Sequence, residues 1–162
     1  MSNYTLVYDP KKVSVTIGGQ TVFGYAEGSL ISIDKADNVT STVEGCDGND
    51  TTISVSPKRG GTATLTLQHT SPFNKFLYAW AEAYARDPSS ATVLMPFQID
   101  DPASVQINTI CWLEQVPSFG LAAETSELSW VFRLKDATPK SNTAYSFATA
   151  IGDLAGIQLP NF

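Results

Sequence analysis

The residues of this sequence that are able to do chemistry are few, and their spacing weighs against each chemistry in turn. His69, the only histidine, directly precedes Thr70 and Ser71. An imidazole beside a hydroxyl is the beginning of a nucleophile and base. Neighbours this close along one chain, however, seldom present the base to the nucleophile with a third group orienting it, and no Gly-x-Ser-x-Gly elbow occurs. His69 therefore reads as a structural or capping residue. Asp100 and Asp101 offer two carboxylates for acid/base work, but adjacent residues of an extended chain point to opposite sides, so they read as a loop. Asp47, Asn49 and Asp50 outline a calcium loop without its later bidentate glutamate, which leaves a plain turn. Cys46 and Cys111 match neither a disulfide framework nor a metal-ligand spacing and read as free thiols. Gly18-Gly19 and Gly60-Gly61 sit between strand patterns and not between a strand and a helix, so no phosphate cradle is formed. Trp80, Trp112 and Trp130 would make a sugar-binding platform only if exposed and coplanar. Trp80 and Trp130 fall on the apolar faces of their elements, and only Trp112 is placed ambiguously. No cofactor and no metal is implied, and the chain reads as a non-enzyme.

Composition points the same way. The 162 residues, 43% of them hydrophobic, suffice for the core of one domain. Charged residues make up 16%, against roughly 25% in ordinary soluble domains. Ser, Thr, Asn and Gln fill the remaining polar positions, so much of the surface is neutral, as suits a subunit that buries itself against copies of itself and as is also common in all-β modules that stay alone. The net charge of −6 repels nucleic acid at long range and argues against direct DNA recognition. MSNYTLVYDPKK contains no signal-peptide core and no stretch approaches a membrane span, so the expectation is synthesis in soluble form in the cytoplasm, with no membrane insertion.

The elements that must carry these residues are mostly strands. Val13, Val15 and Ile17 alternate with Ser14 and Thr16, Gly18-Gly19 supplies a tight turn, and Thr21 to Tyr25 runs back as the second arm of a hairpin. Ser29 to Ile33 forms a further strand. It leads into a polar stretch, residues 34–52, with a weaker strand around Val39 to Glu44, read as a long protruding loop or hairpin. Thr52 to Ser56 comes next with Ile53 and Val55 expected inward, then Thr62 to Gln68 with Ala63, Leu65 and Leu67 toward the core. Thr70 or Ser71 caps an amphipathic helix over about 71–86, on which Phe73, Phe76, Leu77, Trp80, Ala83 and Tyr84 recur at helical spacing. Thr92 to Ile99, Ser104 to Glu114 and Glu127 to Lys135 complete the strands. The fold class is mainly β, a β-sandwich or small barrel with one helix packed at an edge. Residues 1–139 form the body of this single domain and 140–162 a C-terminal arm. Tyr145, Phe147, Ile151, Leu154 and Phe162 make the arm too apolar to stay solvated. It packs on its own domain or docks on a neighbouring subunit.

Three stretches carry a family resemblance: Cys46-Asp47-Gly48, Gly61-Thr62-Ala63-Thr64-Leu65-Thr66-Leu67 and Thr70-Ser71-Pro72-Phe73-Asn74. Their order resembles a segment of the tail tube proteins of contractile-tailed bacteriophages, which are related in architecture to type VI secretion tube proteins. A looser match lies in Trp112 to Pro117, Phe119-Gly120 and Glu127 to Phe132. The resemblance implies a virion structural protein forming stacked, hexameric rings. Their hollow channel, inside a contractile sheath, passes the genome at ejection. It implies self-association, with tail sheath, baseplate and tail terminator proteins as further partners and transient, non-specific passage of DNA. Six subunits at −6 each would make the channel acidic, so that DNA slides instead of sticking. The neutral face of Thr62, Thr64, Thr66 and Gln68, with Gln106 and Asn108, would hydrogen-bond between subunits without burying ions. The protruding loop would reach the next ring, with Asp34, Asp37, Val39, Thr42, Glu44, Asp47 and Asn49 as contact residues. The lumen carboxylates are sought among Asp34, Asp37, Glu44, Glu114, Glu124 and Glu127. Two alternatives stand beside this reading: the tube protein of a phage-derived injection machine (type VI secretion or a contractile bacteriocin), and a monomeric carbohydrate-binding β-sandwich.

Overall fold

The computed structural model describes residues 8–102, 105–121 and 124–141. Of the C-terminal arm only Lys140 and Ser141 fall among them; Tyr145, Phe147, Ile151, Leu154 and Phe162 lie outside the described residues.

The first described element is a 3-10 turn at Pro10–Lys12, whose Lys11 N–H is held by the Asp9 carboxylate at 3.0 Å. Strand β1 (Ser14–Ile17) and β2 (Gln20–Thr21) form a hairpin at the expected turn, but its second arm is two residues long and does not run through Thr21 to Tyr25 as a strand. Gly18 and Gly19, at φ 62° and 80°, both occupy the left-handed region that a two-residue primed turn demands. Next come β3 (Ile31–Lys35), β4 (Thr40–Glu44), β5 (Thr51–Val55) and β6 (Gly61–Gln68). Helix α1 (Phe73–Arg86) precedes β7 (Met95–Asp100), β8 (Val105–Gln115), β9 (Glu127–Leu134) and the short β10 (Lys140–Ser141).

The mainly β architecture with a single amphipathic helix is the expected one; its organisation is more specific. The main sheet is antiparallel, in the order β2-β1-β7-β8-β9-β6-β3, with β10 added to the start of β8. It is not a closed barrel: β2 and β3 remain as edges. The register puts two apolar rows on one face. Val15 stands opposite Ile99, Ile99 opposite Ile107, Leu113 opposite Phe132, Phe132 opposite Ala63 and Ala63 opposite Ile33. The whole hydrophobic core is therefore built on one side of a curled sheet, and α1 lies on that side. Trp80 stacks on Phe132 with centroids 6.0 Å apart, and Tyr78 meets Trp130 edge-on at 4.8 Å.

The sheet comes closest to closing where Val22 to Ala26 crosses between its edges. Val22 N–H donates to the Val15 carbonyl, Ala26 N–H donates to that of Thr66, and Tyr25 bridges Leu67. Further along the seam, the curl brings Ile31 and Ile33 of edge strand β3 to one apolar groove with Ile99 of β7 and Val105 and Ile107 of β8.

The stretch before β7 also differs from the sequence reading. Thr92 and Val93 are not in a strand but in a helical turn at Ser90–Val93, because their N–H groups turn back to the Ser89 carbonyl. This turn presents the Thr92 carbonyl to the indole N–H of Trp80 at 2.7 Å, a tertiary bond that local pattern does not reveal.

Candidate assembly surface

The protruding segment expected over 34–52 is a hairpin displaced along the chain. Asp34 and Lys35 end β3 inside the main sheet, and the free ladder pairs Thr40–Glu44 with Thr51–Val55. Its tip is a turn in which Gly45 N–H donates to Asp50 O (2.7 Å), Gly48 adopts φ 72°, and the Asp47 carboxylate accepts from Asn49 N–H at 3.3 Å. Asp47 and Asn49 thus stabilise the turn, and among the described residues no group of three or more His, Cys, Asp or Glu is gathered for a metal. At the base, Asp37 lies 3.9 Å from the Lys58 ammonium, and Ser56 N–H extends the ladder to Val39 O.

Every residue of both strands is exposed, and here the sequence expectation for Ile53 and Val55 is overturned. Ile53 is 63% and Val55 74% exposed, as are Val39 (60%) and Val43 (65%). Alternation correctly marks a strand; it does not say what covers the face. Among the described residues, strand β5 pairs with β4 alone. Ile53 and Val55 share one side of the ribbon with Thr42, whereas Val43 belongs to the other, so both sides carry apolar groups. Glu44 is the sole charge in the two strands. Apart from Glu44, the charges and prolines that keep exposed strands from pairing with other chains are absent from this ladder, and a lone two-stranded hairpin is marginal in water.

The second feature is the solvent face of the main sheet. Thr16, Gln98 and Asn108 form one cross-strand row, Ser32, Thr64 and Val131 another, and Thr66 faces Ser129 with hydroxyls 3.2 Å apart. Thr62, Thr64, Thr66 and Gln68 all share this face, as the sequence implies. The six candidate carboxylates do not converge. Asp34 pairs with Thr62 and Glu127 with Gln68, near opposite ends of β6 on this same face. Glu114 falls in the bulge between Leu113 and Gln115, Glu124 is an exposed loop residue, Glu44 belongs to the hairpin and Asp37 to its base.

Behind the surface, one buried polar residue ties three elements together. Asn74, in the first turn of α1, donates through Nδ2 to the carbonyls of Gln68 (2.9 Å) and His69 (3.3 Å) and accepts the indole N–H of Trp130 at 3.0 Å. Ser71 Oγ accepts from Phe73 N–H and donates to Phe23 O at 2.7 Å, fixing the helix start from the other side. Asn74 was legible as part of the matched Thr-Ser-Pro-Phe-Asn run, but its bracketing role was not. His69 meets the ring of Phe119 at 6.0 Å and donates its backbone N–H to Ser126, a structural placement.

The segment after β9 is fastened in the same manner. Asp136 N–H donates to the Thr109 hydroxyl and Ala137 N–H to the Arg59 carbonyl. Hydrogen bonds from the backbone N–H and the side chain of Thr138 hold the Asp136 carboxyl below the usual carboxylate range. Both cysteines are free, Cys46 exposed and Cys111 buried, and burial pushes the Cys111 thiol up to about 12. Trp80 and Trp130 are buried and Trp112 half-buried.

No family model and no curated protein matches the chain. Among solved structures, it is similar to the anti-feeding prophage cap, described as the tube terminating cap, with a TM-score of 0.56 and 15% identity, covering 87% of this chain and 95% of that one. It is also similar to a chain of the sheath-tube complex of the PVC extracellular contractile injection system in its extended state. There the TM-score is 0.55 and the identity 12%, with 83% and 92% of the two chains covered. Most of each compared chain is matched, so this chain shares the fold of both.

Proposed function

We propose that the chain is a tube subunit of a phage-type contractile tail or of an injection machine derived from one. Copies associate through their open sheet edges into rings, hexameric by the resemblance, and the rings stack into a hollow tube inside a sheath. The observation that carries this reading is the β4–β5 hairpin, exposed on both sides and bearing four large apolar residues. In a stacked tube it lies against the next ring, where Val39, Val43, Ile53 and Val55 lose their contact with water and the ladder gains a partner. The Thr/Ser/Gln/Asn face, with Asp34 and Glu127 near its ends, turned to the channel, offers passing phosphate hydroxyls, amides and like charge, so that DNA is not retained. Tail sheath, baseplate and terminator proteins are the remaining partners, and the assembled particle is where the protein resides.

A second reading is favoured by the likeness to a tube-terminating cap: a subunit that ends a tube forms rings that do not stack on themselves. Negative-stain electron microscopy over a range of concentration and salt separates the two. Hollow tubes are expected from the intact chain, and isolated rings from a variant in which Val39–Ser56 is replaced by a short Gly-Ser link, with its circular dichroism unchanged outside the lost hairpin. Isolated rings from the intact chain point to the cap. Full-length tubes from the shortened variant remove the stacking role of the hairpin, and monomers at every concentration remove the tube reading itself.

A further inference from the structure

The unclosed seam of the sheet forms an apolar groove of about 890 Å³, between edge strand β3 and the strands facing it across the curl. Ile31, Ile33, Ile99, Val105 and Ile107 give it aliphatic walls. A groove of this size lies within the range of ligand sites, but what surrounds it names a different occupant. Strand β10 enters the sheet beside it: Ser141 pairs with Val105, itself a wall residue, and Pro139 lines the same groove. The described chain therefore stops on the groove's rim, and it also starts there, with Tyr8 in the lining and Tyr4 a few residues before it in sequence. The last stretch of sequence, from Asn142 to Phe162, contains Tyr145, Phe147, Ile151, Leu154, Ile157, Leu159 and Phe162, with Asp153 as its single charged side chain.

We propose that this groove is the docking site of the chain's own C-terminal segment, which fills the seam that the strands leave open. Three features support it. An apolar segment tethered at the rim of an apolar groove meets it at an effective concentration on the order of millimolar, ahead of any second copy at micromolar concentration. At about 3.3 Å per residue the segment spans the groove with length to spare. Its composition matches the walls: aliphatic and aromatic groups against isoleucine and valine, with one side-chain carboxylate in the entire segment. The inference stands apart from the tube reading, because it concerns the unassembled subunit.

Photo-crosslinking of the full chain tests it. p-Benzoylphenylalanine is placed at position 147 or 154, and light and 15N-labelled chains are mixed at a concentration where sedimentation shows monomers. The products are mapped by mass spectrometry. Crosslinks within one chain to the Leu30–Lys35 or Val105–Ile107 peptides are expected. Ile33→Glu should reduce them at least fivefold while the far-ultraviolet circular dichroism is kept. Should Ile33→Glu fail to fold, Leu30→Glu at the half-exposed rim serves instead. Light-to-heavy crosslinks, which would mean a second copy, overturn the proposal. Crosslinks to another surface, their absence, their persistence in the glutamate variant, or a label at Tyr4 entering the groove in place of the C-terminal ones do the same.

Discussion

Replacing Asn74 with alanine removes three hydrogen bonds at once, and the structure allows the cost to be divided. The indole N–H of Trp130 is buried, with the Asn74 carbonyl oxygen 3.0 Å away as its acceptor; leaving it unpaired costs about 1–3 kcal/mol. The carbonyls of Gln68 and His69 each lose one side-chain donor, at about 0.5–1.5 kcal/mol apiece. The sum is about 4 kcal/mol, a large share of the roughly 5–15 kcal/mol that holds a domain together. At about 2–4 °C per kcal/mol for a chain of this length the melting point falls by roughly 12 °C. Trp130→Phe supplies the second arm of a double-mutant cycle, since it deletes the N–H and leaves an aromatic ring. Asn74→Ala in that background should then be cheaper by about 1–3 kcal/mol, the orphaned indole no longer being there to be orphaned. Urea unfolding followed by circular dichroism measures all four corners. Additivity within about 0.5 kcal/mol, or an Asn74→Ala cost below about 1 kcal/mol, would refute the bracket.

Gly61→Ala should destabilise the fold by about 1–3 kcal/mol, read from the urea midpoint, because a Cβ there would overlap the Ala137 methyl and the Asp34 carbonyl oxygen. The Asp136 carboxyl is held below its unfolded value by the Thr138 bonds. It therefore contributes stability above the ordinary carboxylate range that is lost as pH falls through its lowered folded value; Asp136→Asn should flatten the stability profile between neutral and acid pH. A thiol reagent at pH 8 should modify Cys46 quickly in the native protein and Cys111 only on unfolding, since Cys111 is buried and its thiolate disfavoured. Peptide mapping of the labelled chain gives the answer.

The elements with an unbroken period were legible in the sequence. The Gly18-Gly19 hairpin, the alternation of β6 and β9 and the 3.6-residue face of α1 all have local causes: positive φ, the pleat and helical spacing. What the sequence withheld is non-local. The apolar sides of β1, β7, β8, β9, β6 and β3 line a single curled sheet, because strand order is decided by crossovers and not by periodicity. Ile53 and Val55 alternate like core residues, yet their strand pairs only with another exposed one. The hairpin was legible as a protrusion, with its strands offset by a few residues. The six carboxylates were named by charge alone, and charge does not reveal that Asp34 and Glu127 share a face while Glu44 belongs to a separate ribbon.

The two edges of the main sheet are unlike: β2 offers two residues and β3 five, and the free hairpin comes after β3 alone. A contact that joins the β2 edge of one copy to the β3 edge of the next is heterologous, head to tail, and carries no two-fold axis. Such a contact generates a circle when the rotation from one copy to the next divides the full turn, and a helical filament when it does not. In the proposed ring, the number of subunits would then follow from how tightly the single sheet curls. The bulge between Leu113 and Gln115, where β8 slips against β9, is a place at which that curl is set.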